Sequence, residues 1–150
     1  MQLTPHFTLE ELIASENAAR LGIDNTPSPL VLANLKVLAL GLESVRECLG
    51  GLPIHVNSGF RCPELNKAIG GAPDSRHMLG LAADIVCPAF GKPLQVCQAL
   101  VAKKIPVDQI IHEFGQWCHV SFAATGGAPR FQLLTIASAK TGYQSGILAV

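Results

Sequence analysis

His77 and Asp84 stand seven residues apart in the segment Ser75-Arg76-His77-Met78-Leu79-Gly80-Leu81-Ala82-Ala83-Asp84. Gly80 lies between them and permits a sharp bend, so the two side chains can be brought together. A neutral imidazole and a carboxylate are both good zinc ligands, and a third protein ligand leaves the fourth tetrahedral position open to water. His119 is the candidate for that third place. Alternation along its strand puts Trp117, His119 and Ser121 on one face and Cys118, Val120 and Phe122 on the other. Zinc held by three protein ligands lowers the pKa of its water towards ~7 and polarises a carbonyl, which is the chemistry of amide hydrolysis.

That chemistry needs a base, and Glu113 is the best-placed carboxylate in sequence. Its geometry depends on the turn after it. With Phe114 to Gln116 as a three-residue loop, Glu113 opposes Trp117 and shares a face with His119; a two-residue turn pairs it with Cys118 on the wrong face. A thiol offers a different chemistry. Cys118 adjoins His119, and a cysteine peptidase built on it would be blocked by alkylation and indifferent to chelators. The five cysteines form no Cys-x-x-Cys pair and are odd in number, so reduced, buried thiols are the expectation.

The elements that must position these residues are legible in outline. Thr8 with Glu11 is a capping-box pair that predicts a helix to about Arg20, stopped by Gly22. Ser28-Pro29 and the apolar spacing of Leu30, Leu35, Leu38, Leu42 and Val45 predict a long second helix ending at Gly50-Gly51. Strands are expected at Pro53–Ser58, Ala82–Val86, Gln109–Glu113 and Trp117–Phe122, the last two as a hairpin. Short helices are expected at Glu64–Ile69 and Pro93–Lys103, and a last strand pair at Arg130–Ala137 and Tyr143–Leu148. The predicted fold is α+β in one domain over residues 1–150: N-terminal helices on a small, mainly antiparallel sheet, with the zinc in a cleft.

Together, Ser75-x-His77-x-x-Gly80-x-Ala82-x-Asp84 and Glu113-x-x-x-Trp117-x-His119 resemble the zinc D-Ala-D-Ala carboxypeptidase family. Phage endolysin peptidases and the Hedgehog signalling domain share its metal site. Ser58-Gly59-Phe60-Arg61 is similar to the family's Ser-Gly-aromatic-Arg element, and Asn66 with Gly70-Gly71 fits the family's usual continuation of that element. The resemblance runs from about Phe7 to Phe122. It implies that His77, Asp84 and His119 are zinc ligands, that Arg61 engages a substrate carboxylate, and that Ser75 and Trp117 line the cleft. The implied substrate is a peptidoglycan stem peptide, cut at D-Ala-D-Ala or, by an endopeptidase, at L-Ala-D-Glu. One position departs from the pattern: many relatives carry a catalytic carboxylate or histidine three residues before the last ligand, where this chain has Gln116. Either Glu113 is the base, or the domain is a non-catalytic zinc module, structural or partner-binding.

Each residue also has an ordinary reading. Arg61 alone is a solvated charge beside the Pro63 helix start, Glu113 a strand-end charge, and Trp117 a core aromatic. His6, His55 and His112 have no evident partner, and His112 faces away from Glu113. Eleven basic and eleven acidic residues balance, so no field recruits nucleic acid or an anionic membrane, and no apolar run approaches the ~20 residues of a spanning helix. The N-terminus lacks the basic and apolar pattern of a secretory signal. A monomer made in the cytoplasm is therefore expected, reaching the wall by assisted release or in a virion if it comes from a phage or prophage.

Overall fold

The computed structural model describes residues 1–150. A two-stranded hairpin, β1 (Gln2–Thr4) and β2 (Phe7–Thr8), precedes α1 (Leu9–Ile13), α2 (Glu16–Leu21) and α3 (Pro29–Cys48). Then come β3 (His55–Ser58), α4 (Pro63–Ala68), a 3-10 turn at Arg76–Leu79, β4 (Ala82–Val86) and α5 (Pro93–Ala102). The chain ends through β5 (Gln109–Glu113), β6 (Trp117–Ser121), β7 (Gln132–Ile136) and β8 (Tyr143–Ser145). The fold is α+β.

Ser28 accepts the Val31 N–H at 3.3 Å and Pro29 occupies the first turn, so α3 begins where capping chemistry starts it. Its stripe Leu35, Leu38, Leu42 and Val45 is wholly buried, each side chain contributing roughly 1.5–3 kcal/mol of apolar burial. That stripe packs on one face of a six-stranded sheet of order β3-β4-β6-β5-β7-β8. All neighbours are antiparallel except β5 and β7, which run parallel. Val56, Ile85, Cys118, Val120 and Ile110 turn towards the helices and form the core with Val96 and Leu100 of α5. By alternation Asp84, His119 and Glu113 stand on the opposite face.

The helix expected from Thr8 to Arg20 is two helices. Thr8 does cap α1, but the chain turns extended at Ala14, and Ser15 caps α2 by accepting the Ala18 N–H at 3.1 Å. The carbonyls that a continuous helix would consume are used elsewhere. Leu12 O accepts the Phe60 N–H at 2.8 Å, and Ile13 O accepts the Asn25 amide at 2.9 Å. Breaking the helix thus anchors the segment that carries Arg61. The β1–β2 hairpin, which alternation did not announce, is tied to α3 by Glu43, which accepts from Thr4 Oγ1 at 2.9 Å and pairs with His6 Nδ1 at 2.8 Å. His6 therefore has a partner after all.

Candidate metal centre

Gly80 closes the 3-10 turn in the left-handed region, with φ of 73°. A Cβ there would press on Val31 and Leu35 of α3, so glycine is required by both backbone and packing. The turn carries His77 over the sheet, and the chain then enters β4 and reaches Asp84. On β6 the residue directly opposite Asp84 is His119, a cross-strand pair whose side chains project together. All three side chains are buried.

Asp84 Oδ1 lies 3.3 Å from His77 Nε2 and 3.0 Å from His119 Nδ1, and the two rings meet edge-on with centroids 5.0 Å apart. Donor atoms of the three residues all fall within 4.8 Å of one another. A tetrahedral ion with bonds of about 2.0–2.1 Å needs donors about 3.3 Å apart. The group therefore suits a small, borderline-soft divalent cation. His77 Nδ1 sits 2.7 Å from the Gly59 carbonyl, which holds the ring so that Nε2 is the nitrogen turned to Asp84. Burial acts to raise the pKa of Asp84, but the charge of His77 and the hydrogen bonds from both imidazoles outweigh it and hold the group ionised.

Arg61 borders this group. Its backbone N–H donates to His77 O at 3.1 Å, its Nη2 lies 3.3 Å from Ser75 Oγ, and its buried Nε has no partner. Burial lowers the guanidinium's pKa, while Asp84 and Glu113 act the other way. Ser75 also accepts the His77 N–H at 3.2 Å, so it shapes the turn as well as touching Arg61. Sequence reading passed over Asn25. Its amide donates to Phe60 O at 3.0 Å and its carbonyl accepts the Cys62 N–H at 2.8 Å, clamping the backbone on both sides of Arg61. Only its place in the turn-rich run Asp24-Asn25-Thr26-Pro27 hinted at such a role.

The β5–β6 turn takes the three-residue form. Glu113 pairs with Trp117 and Ile111 with His119, while Phe114 and Gly115 adopt φ of 57° and 65°. Glu113 consequently shares the face of His119, with Oε1 3.5 Å from His119 Nδ1. Burial first, and the Asp84 charge second, push its carboxyl up to about 7. Trp117 leans towards it, yet the buried indole N–H is outside hydrogen-bond geometry. Gln116 is exposed in the loop. Cys118 points the other way, into the core beside Cys97, and their contact together with burial raises its pKa well above the usual value. That environment suits a packing thiol, not a nucleophile. His112 also leaves the site, with Nδ1 2.8 Å from Leu148 O.

The turn is braced from outside by Asp108, which is 2% exposed. It receives Arg130 through Nε and Nη2 at 2.8–3.2 Å and has Arg76, the neighbour of His77, at 3.7 Å. Hydrogen bonding by Arg130 is the largest influence on Asp108 and lowers its pKa. A carboxylate with a depressed pKa stabilises the fold above its unfolded pKa of about 4 and loses that contribution as pH falls through the folded value. Asp108→Asn should therefore cost about 1–2 kcal/mol at pH 7, read from urea unfolding, with the deficit shrinking below about pH 4. An equal deficit at both pH values would show that charge has no part in it.

A family model described as Peptidase M15 matches residues 5–121. The zinc D-Ala-D-Ala carboxypeptidase of Streptomyces albus G is 47% identical over 53 residues, which is 35% of this chain and 21% of that protein. The chain thus spans about a fifth of the length of that curated relative. The family match takes in more than three quarters of the chain and every residue from Arg61 through His119 described above, and the chain belongs to the peptidase M15 family.

Proposed function

We propose that residues 1–150 act as one zinc peptidase domain that hydrolyses an amide bond in peptidoglycan stem peptides, with His77, Asp84 and His119 as the metal ligands. The observation that carries this reading is the buried His-Asp-His group with Glu113 on the same face of the sheet. The family and the Streptomyces relative support the metal and the class of substrate. When bound, zinc supplies Lewis acidity towards a carbonyl and acidifies water.

The chain's own residues do the rest. Glu113, 3.5 Å from His119 and pushed up to about 7, is poised to take the attacking water's proton near neutrality and return it to the leaving amine. Arg61, a half-buried cation with a free Nε, binds a terminal carboxylate of the peptide and so sets which bond is presented. Trp117 and Ser75 flank the bound peptide. Arg61→Lys keeps the charge but loses the planar fork, so KM for a peptide ending in a free carboxylate should rise about tenfold with little change in kcat. An amidated peptide should show no such difference, and an equal KM for both proteins on the free acid would remove Arg61 from substrate binding.

The direct test is digestion of purified peptidoglycan with and without chelator, then zinc restoration, with fragments read by mass spectrometry. Cleavage that disappears and returns supports the proposal. Loss of a single terminal alanine identifies a D-Ala-D-Ala carboxypeptidase; larger stem fragments identify an endopeptidase. Exposed Gln116 favours one other reading, a non-catalytic zinc module, which predicts no fragments under any condition.

A further inference from the structure

The family match stops at residue 121, yet the sheet continues for two strands. Register aligns Trp117 on β6 with Glu113 on β5, Glu113 with Ile136 on β7, and Ile136 with Tyr143 on β8. Directly paired residues project to the same side in both antiparallel and parallel ladders. Tyr143 therefore stands on the face that carries Asp84, His119 and Glu113, two strands beyond Glu113. At about 4.8 Å per strand its Cα lies roughly 10 Å from that of Glu113, close enough for a tyrosine side chain to bridge most of the gap.

The position is held firmly. Thr135 Oγ1 donates to Gly146 O at 2.8 Å and accepts the Leu148 N–H at 2.9 Å, while His112 grips Leu148 O. Buried Ile136 stands between Glu113 and Tyr143 in the register, and Tyr143 itself is 58% exposed. Burial raises its pKa most, and the charges of Glu113, Asp74 and Asp84 add to this.

Arg61 comes after β3 at one edge of the sheet, and Tyr143 lies on β8 at the other, with the His-Asp-His group between them. We propose that Tyr143 is a substrate-contacting residue, forming the far wall of the cleft and donating its phenolic hydrogen to the peptide on the side of the scissile bond away from Arg61. The inference rests on the peptidase reading for its substrate. With Arg61 on the carboxylate end, Tyr143 meets residues on the N-terminal side of the bond, one to three positions away at about 3.3–3.6 Å per residue.

The experiment compares Tyr143→Phe with the zinc-loaded parent on a stem pentapeptide ending in D-Ala-D-Ala and on the same peptide trimmed from its N-terminal end. Removing one hydrogen bond should lower kcat/KM about three- to tenfold on the pentapeptide, mainly through KM, and leave the trimmed peptide unchanged. Equal kinetics on both substrates, or an equal loss on both, overturns the proposal. Calorimetric binding of the uncleaved pentapeptide separates it from the peptidase reading. A parent that binds but does not cleave, with weaker binding by Tyr143→Phe, keeps the contact and discards the activity; a parent that neither binds nor cleaves discards both.

Discussion

Replacing Glu113 with glutamine should leave one equivalent of zinc bound while slowing peptide hydrolysis by about 10²–10⁴-fold, the usual contribution of a positioned general base. Glutamine keeps the shape and the hydrogen-bonding reach but cannot take a proton. The same substitution should stabilise the metal-free protein. A carboxyl raised from 4.5 to about 7 carries a penalty that is absent below the unfolded pKa, grows as pH rises between the two values, and is constant above the folded one. At 1.36 kcal/mol per unit the ceiling is about 3 kcal/mol. Unfolding of chelated Glu113→Gln and parent at pH 4 and pH 8 should thus differ only at the higher pH. A variant that keeps its activity would sink the base assignment; one that loses zinc would show that Glu113 belongs to the ligand group.

Glu113 also shows where sequence reading reached its limit. Period-two alternation over Trp117–Phe122 put His119 on the face away from the core, and the strands agree. Whether Glu113 joined it depended on a single residue of loop length, which composition does not decide, because Phe114 takes a left-handed backbone that non-glycine residues seldom adopt. Ser28-Pro29 and Gly80 were readable because capping and positive φ are local demands. The break after Ile13 was not, since its cause lies in Phe60 and Asn25, far along the chain. The place of Tyr143, two strands beyond Glu113 on the same face, was unreadable for a related reason: it comes from a parallel β5–β7 pair that local pattern cannot foretell.

Substituting Asp84 with alanine should abolish zinc binding and reduce hydrolysis to background. Its Oδ1 is the one atom near both imidazoles, and without it two buried rings 5.0 Å apart retain no anion to share. Asp84→Asn is the sharper version, because it preserves volume and removes only the charge. Parent protein saturated at about 1,000 times its Kd should gain about 4 kcal/mol of unfolding free energy from zinc, and neither variant should gain any. The proposed ligands and the core are separate: none of His77, Asp84 and His119 belongs to the cluster built from α3, α5 and the strands. Chelation should accordingly silence the proposed peptidase while leaving a cooperatively folded chain, measured by circular dichroism and near-ultraviolet signal. A chelated parent that unfolds would make the metal structural and favour the non-catalytic module, because the fold would then depend on a site its core does not include.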